Sequence, residues 1–295
     1  MLDRYFISDL SKIIISYVNE YVLLDWIDIN KLNWWNLSEN PNAIDILEQN
    51  LDKVDWDDIS SDPESIFIKP DDLYKINWVK FSYKINAKYI MNNHLNKVYW
   101  YQINNNKNAI HILEQNIDKI NWYNISQNLN AINLIEKNLD KIDWDYLSSN
   151  PNAIHILEQN LDKINWRYLS CNPNAIHILE KNMDKIDWVS LSGNPNAIHI
   201  LEQNLDKVDW KWLSSNPNAI HILEQNLDKV DWSLLSTNKN AIDILEKNVY
   251  KINWYYLSYN INAIHILKQN VNKLNWHELS SNPNIFKLKY KNEYI

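Results

Sequence analysis

The stretch that decides the fold runs from Trp144 to Asn165 and reads WDYLSSNPNAIHILEQNLDKIN. It recurs with a constant length, because tryptophans stand every 22 residues from Trp34 to Trp276 without an insertion. A repeat of fixed length places each unit in the same environment, so each unit is expected to stack on its neighbours and bury a continuous core. The pattern predicts twelve repeats in one domain.

Each repeat is predicted to contain one helix of about ten residues. Asn150 and Pro151 suit the N-cap and the first helical position, and apolar residues then recur with the spacing of an amphipathic helix. The helix is predicted to end near Asn160, because asparagine is second to glycine in the left-handed C-cap conformation and the chain has a single glycine. The Asp or Asn before each tryptophan is expected to cap a second, shorter helix.

The predicted fold class is therefore all-α: an elongated α-solenoid of twelve 22-residue repeats, with one α-helix plus a short helix or 3₁₀ turn per repeat. Neighbouring helices at 8 to 10 Å would give a curved rod roughly 100 Å long. The solenoid is expected over residues 34–295, with irregular repeats at 56–99 and a C-terminal cap at 285–295. Residues 1–33 are predicted to form an N-terminal helical cap.

Composition excludes several classes of protein. One glycine cannot build the loops that hold phosphates or dinucleotides, and no cofactor is expected. A net charge of -8 argues against a nucleic-acid partner on electrostatic grounds. A single cysteine indicates a protein of a reducing, intracellular compartment. The start of the chain does not resemble a secretory signal, and no apolar run approaches the roughly 20 residues of a membrane span.

Three further residue types recur once per repeat. The tryptophans are interpreted as one core position, and the lysines as a stripe balanced by nearby carboxylates. The histidines are interpreted as a solvated stripe, because helices 8 to 10 Å apart cannot bring two ring nitrogens within about 2.0 Å of one zinc ion. We expect no metal site at these positions: His111, His155, His177, His199, His221 and His265.

The residues that vary between repeats follow each tryptophan and are predicted to form a ridge on the short turn. Tyrosine, tryptophan and arginine dominate binding hot spots, because they combine large contact areas with polar groups. Free drift at exposed turn positions explains the variation equally well, since Val189 and Ser233 occupy the same ridge. The candidate partner-binding residues are Arg167, Tyr168, Trp212, Tyr255, Tyr256 and Tyr259.

The repeat W-x-x-L-S-x-N-P-N-A-I-H-I-L-E-Q-N-L-D-K-I resembles the 22-residue repeat proteins of mimivirus-like giant viruses of amoebae, and the likeness covers residues 34–295. The resemblance implies a repeat architecture and a viral origin, and with that origin a location in the host cytoplasm or the virion, but it implies no activity. The stretch LDRYFISDLSKIIISYVNEYVLLDWI looks like the opening helices of an F-box, although it lacks the usual Leu-Pro start. That likeness implies a segment that recruits a ubiquitin ligase.

The sequence thus predicts a non-enzymatic scaffold that binds a host or viral protein. No catalytic residues are expected, because repeats without insertions provide no loops of unequal length to build a pocket. One alternative is a substrate adaptor of a ubiquitin ligase, with the F-box-like segment as its recruiting element. Another is a structural component of a virion or other assembly.

Overall fold

A computed structural model describes residues 19–54, 77–79, 82, 95–97 and 99–290. Each well-described repeat contains two short helices, which we call the tryptophan helix and the second helix. In the repeat quoted above, they span Trp144–Ser149 and Ile154–Glu158. The predicted all-α repeat solenoid is confirmed, with two helices of similar length in each unit.

The tryptophan helices are α1 (Trp34–Ser38), α3 (Trp100–Ile103), α5 (Trp122–Ser126), α7 (Trp144–Ser149), α9 (Trp166–Cys171), α11 (Trp188–Ser192), α13 (Trp210–Ser215), α15 (Trp232–Thr237), α17 (Trp254–Ser258) and α19 (Trp276–Ser280). The second helices are α2 (Ile44–Glu48), α4 (Ile110–Glu114), α6 (Ile132–Glu136), α8 (Ile154–Glu158), α10 (Ile176–Glu180), α12 (Ile198–Glu202), α14 (Ile220–Glu224), α16 (Ile242–Lys247) and α18 (Ile264–Gln269). Two strands lie near the chain ends: β1 (Asn19–Leu23) and β2 (Phe286–Tyr290).

The second helix begins later than predicted. Asn150 is the C-cap of α7 and not the N-cap of a long helix. Its side-chain Oδ1 accepts a hydrogen bond from the amide of Asn152 at 3.0 Å, which holds the chain in a turn that includes Pro151. The second helix α8 starts only at Ile154, so the predicted ten-residue helix from Pro151 is wrong.

The second helix also ends by a different mechanism. Asn182 and Asn248, which are equivalent to Asn160, have φ of -137° and -131°, so the predicted left-handed C-cap is wrong. The Asn160 side chain instead donates from Nδ2 to the carbonyl of Ile156 at 2.9 Å. Asparagine therefore caps the helix by satisfying an open carbonyl.

The core is one continuous hydrophobic layer through the described repeats. In the repeat of α7 and α8, Leu147, Ala153 and Leu157 are fully buried, and burying a leucine side chain contributes about 1.5–3 kcal/mol. The repeated tryptophans are half-buried and pack against this layer. The tryptophans thus lie at the boundary of the core. The predicted position in the interior of the core is wrong, because a core side chain would be fully buried.

A buried serine connects most pairs of neighbouring tryptophan helices among the described repeats. Ser170 donates from Oγ to the carbonyl of Trp166 at 2.7 Å and accepts from the amide of Asp187 in the next repeat at 3.1 Å. Asn104 replaces this serine in α3 and forms both bonds with its amide group, to Trp100 and Asn121. The position therefore demands a donor and an acceptor together.

A second ladder consists of buried asparagines. Asn194 donates from Nδ2 to the carbonyls of Ser170 and Asn172 in the preceding repeat, both at 3.0 Å, and accepts from the amide of Asn196 at 3.0 Å. Only 1% of Asn194 is exposed. Because each such asparagine contacts the asparagine of the repeat before it, the ladder fixes the stacking register.

The N-terminal repeat stacks on the C-terminal repeat. Lys31 lies over Trp276, and Asn40 donates to the carbonyls of Ser280 and Asn282 at 2.9 and 3.0 Å. These contacts repeat those between interior neighbours. Since the chain itself links residue 54 to residue 77, the array closes on itself, and the predicted elongated rod is wrong.

Closure places the two kinds of helix at different radii. Neighbouring tryptophan helices pack closely on one another, whereas neighbouring second helices share few contacts. In a closed array with equal numbers of units, the more closely spaced set has the smaller circumference. The tryptophan helices therefore form the inner circumference and the second helices the outer one.

We call the junction between the N-terminal and C-terminal repeats the seam. A two-stranded antiparallel ribbon completes it. β1 pairs with β2 in a register that places Tyr21 opposite Leu288, and Lys287 pairs with Asp25 at 2.9 Å. The predicted helical caps are therefore wrong over residues 19–23 and 286–290, which are strands. Residues 1–18 of the predicted N-terminal cap, residues 291–295 of the predicted C-terminal cap and most of the irregular repeats at 56–99 lie outside the described residues.

Candidate interaction surface

The second, third and sixth residues of each tryptophan helix form a surface that we call the variable face. The fourth and fifth residues, such as Leu213 and Ser214 in α13, are fully buried. At 100° per residue, the second, third and sixth residues point to the opposite side of the helix, away from the core. The variable face therefore lies on the inner circumference.

The cap of each tryptophan helix holds this face in position. Asp209 is the N-cap of α13, and its Oδ1 accepts a hydrogen bond from the amide of Trp212 at 3.0 Å. The same capping bond recurs in most described repeats, where Asp or Asn precedes the tryptophan. A varying side chain is thus presented from a constant backbone.

The six predicted binding residues lie on the variable face at three separate places. Arg167 and Tyr168 are neighbours on α9. Trp212 projects from α13 with 48% of its surface exposed. The third place holds the tyrosines of α17 and its C-cap: Tyr255, Tyr256 and Tyr259. The structure therefore brings the last three together, while the pair Arg167 and Tyr168 and the single Trp212 lie at two other places.

A tyrosine cluster crosses three repeats around Tyr168. The rings of Tyr146 and Tyr168 have centroids 5.7 Å apart, and those of Tyr123 and Tyr146 are 4.1 Å apart. The hydrogen bond between the Tyr123 and Tyr146 hydroxyls is the main reason that the pKa of Tyr146 is raised. Sequence reasoning did not select Tyr123 or Tyr146. The sequence pattern that could have identified this cluster is a tyrosine at the second position of one tryptophan helix followed by a tyrosine at the third position of the next.

One carboxylate from the following repeat acts on two of the α17 tyrosines. A hydrogen bond to Glu278 is the largest cause that raises the pKa of Tyr255. Burial, and then the nearby Tyr256 and Glu278, raise the pKa of Tyr259. Glu278 therefore belongs to this cluster, although the sequence analysis did not select it.

The variable face continues across the seam. Trp35 and His277 contact edge to face with ring centroids 6.5 Å apart. Asn36 donates from Nδ2 to the carbonyl of His277 at 2.8 Å. An equivalent bond joins Asn124 to the carbonyl of Tyr101 between interior repeats. Repeats at opposite ends of the chain thus present one surface.

The repeated lysines cover the exposed side of the tryptophans. Lys163 Nζ lies 4.7 Å from the ring centroid of Trp144, which is a favourable cation–π geometry. Equivalent pairs, at 4.5 to 5.2 Å, recur across nine further described repeats. Lys119 instead pairs with Asp118 at 3.0 Å. The predicted stripe of carboxylate-balanced lysines is therefore wrong for most repeats.

The histidine stripe lies on the second helices, on the outer circumference. Five of its histidines are exposed and contact a glutamate of the preceding repeat, as His155 Nε2 contacts Glu136 Oε1 at 2.7 Å. His111 differs, because its Nε2 is buried and has no hydrogen-bond partner among the described residues. Five of the six histidines are therefore exposed, as predicted, and each of these five is paired with a glutamate.

The described residues contain no group of three or more His, Cys, Asp or Glu side chains that could hold a metal ion. Among the described helices, none combines the length and apolar character that a membrane crossing requires. No protein-family model, no curated protein and no solved structure matches the chain. The case for function therefore depends on the geometry of the surface itself.

Proposed function

We propose that this protein is a non-enzymatic scaffold that binds a protein partner through the variable face. One observation carries the proposal: side chains vary on a backbone that two buried ladders hold constant. In α13, Lys211 and Trp212 are exposed, while the neighbouring Leu213 and Ser214 are fully buried. A rigid scaffold with exposed aromatic groups loses little conformational entropy on binding.

The composition of the face supports a protein partner. Trp35, Tyr101 and Trp212 each have about half of their surface exposed, and aromatic side chains of this kind supply most of the energy in protein interfaces. Charged side chains of both signs, such as Asp145 and Arg167, alternate with them. A neutral, aromatic surface suits a protein better than a polyanion.

The test is affinity capture with the whole chain as bait, followed by cross-linking and mass spectrometry. Because the repeat resembles those of giant viruses of amoebae, lysates of infected and uninfected amoebae are the first to use. The Arg167→Ala/Trp212→Ala double variant should lose the specific partner and keep the melting temperature of the original protein. A matched control on the outer circumference, His155→Ala/Gln159→Ala, should retain it.

Two outcomes decide the proposal. Loss of the partner with the inner-face variant alone, and cross-links on the tryptophan helices, would support it. Equal capture by both variants, or cross-links confined to the second helices, would contradict it. The ligase-adaptor and virion-component hypotheses make a different prediction, namely copurification of ligase subunits or abundance in purified particles.

A further inference from the structure

The tyrosines of α17 have an arrangement that their neighbours lack. The ring plane of Tyr256 is nearly perpendicular to those of Tyr255 and Tyr259, at 87° and 84°. The corresponding centroids are 5.2 and 6.2 Å apart. Two rings at right angles form a corner, and a small cation in such a corner lies within about 6 Å of both centroids.

One carboxylate accompanies the three rings. Glu278, from the next repeat, is the main reason that the pKa of Tyr255 is raised, and its charge also contributes to the raised pKa of Tyr259. His277 Nδ1 lies 3.1 Å from Glu278 Oε1. Aromatic faces and a carboxylate attract cations, and together they are the components of the aromatic cages that bind alkylated ammonium groups.

The repeated lysines of these two repeats do not lie among the α17 tyrosines. Lys251 lies over Trp232 at 4.5 Å and Lys273 over Trp254 at 4.9 Å. Neither ammonium group therefore sits among the α17 tyrosines. These pairs also show that the scaffold itself uses ammonium groups on aromatic faces as a structural contact.

We propose that Tyr255, Tyr256, Tyr259 and Glu278 form a binding site for an alkylammonium group on a partner side chain, with methylated lysine as the best-fitting form. Methylation enlarges the cation and weakens its hydration, so more of it contacts the ring faces while the charge is kept. The proposal rests on the protein-binding function proposed above, because it assigns the cation to a partner protein.

The test uses choline as the probe, with 3,3-dimethylbutan-1-ol as its uncharged isostere. Binding to the whole chain is followed by NMR signals of the tyrosine ring protons at constant ionic strength. Choline is expected to cause saturable shifts, and the alcohol is expected to bind at least tenfold more weakly, because it lacks the charge. Tyr256→Ala should abolish choline binding, and Glu278→Gln should weaken it by about tenfold.

Two further variants keep the result interpretable. Tyr255→Phe retains the ring and should retain binding, which separates the ring from its hydroxyl. Tyr250→Ala removes an exposed tyrosine that lies near Lys251 and should change nothing. Equal binding of choline and the alcohol, or no saturable shift with choline, would overturn the proposal. The capture experiment depends on Arg167 and Trp212, outside this site, so failure of one proposal is distinguishable from failure of the other.

Discussion

The backbone amide of Asn33 donates a hydrogen bond to Ser280 Oγ at 2.8 Å, although 247 residues separate the two along the chain. Interior repeats make the same bond over 17 residues, as between Asp187 and Ser170. The helices that meet at the seam thus use the ordinary repeat contact, and the ribbon of β1 and β2 is added to it. The seam also covers the two stack ends that an open solenoid would have to cap.

The serine ladder is expected to stabilise the stack, and α13 offers a matched pair of serines. Ser214 is fully buried and bonds to both Trp210 and Asp231, while Ser215 bonds only to Trp212 of its own helix. Ser214→Ala should lower the free energy of unfolding by about 1–3 kcal/mol, because it leaves the partly buried Asp231 amide without its acceptor. Ser215→Ala should change it by less than about 0.5 kcal/mol. Urea unfolding checks both values, and equal effects would contradict the ladder.

The asparagine ladder is tested by an isosteric change. Asn194→Asp keeps the acceptor for the Asn196 amide but replaces the donor to two carbonyls with a carboxylate oxygen. We expect a loss of about 3 kcal/mol or more at neutral pH, because a buried charge then faces two acceptors. Asn196→Asp is the control, since its side chain makes one exposed bond to Pro173. Similar melting temperatures for the two variants would argue against the ladder.

Two tryptophans on α13 should respond differently to truncation. Trp210 packs against the core beneath Lys229, while Trp212 lies exposed on the variable face. Trp210→Ala should destabilise the protein by about 3 kcal/mol as a truncation at the core boundary. Trp212→Ala should leave the melting temperature unchanged. Thermal unfolding of both variants measures this, and the reverse result would mean that the two faces of the helix have been exchanged.

The tyrosine cluster predicts a dependence on alkaline pH. The hydrogen bond between the Tyr146 and Tyr123 hydroxyls favours the protonated form of Tyr146 and raises its pKa above the usual value near 10. A raised pKa in the folded state contributes stability below the unfolded value, and this contribution is lost as the pH rises through the folded value. Tyr123→Phe should lower the pKa of Tyr146, measured by NMR titration of the ring carbons. An unchanged pKa in this variant would show that the bond is not its cause.

Much of the repeat could be predicted from the sequence, because its constant period directly reflects a constant environment. The buried serine and asparagine positions could also have been recognised in the sequence, since their residue types recur while their exposed neighbours vary. Their hydrogen-bond partners in the adjacent repeat could not, because these lie 17 to 24 residues away along the chain. The role of the lysines was missed for the same reason.

Closure is a property of the whole array. The curvature that brings Trp34 beside Trp276 accumulates from a small rotation at each repeat, and no single repeat encodes the total. The strand β2 was nevertheless visible, because Phe286-Lys287-Leu288-Lys289-Tyr290 alternates apolar and charged residues with the period of a strand. The exposed candidates could be placed on the variable face, but the neighbours they would have on other repeats could not.

The central claim, closure, is tested most directly by a disulfide across the seam. Because Leu24 donates to the carbonyl of Ile285 at 2.8 Å, alternation along the ribbon makes Tyr21 and Leu288 a pair without mutual hydrogen bonds, in which side chains lie closest. Their Cβ atoms are then within disulfide range. The lone Cys171 is replaced by serine to prevent other pairings.

The measurement is oxidation of the Tyr21→Cys/Leu288→Cys variant, followed by non-reducing denaturing electrophoresis and thermal unfolding. We predict a fast-migrating monomer with an intramolecular disulfide and a higher melting temperature, because the cross-link restricts nearly the whole unfolded chain. Two free thiols in the folded monomer, or disulfides only between molecules, would contradict a closed array.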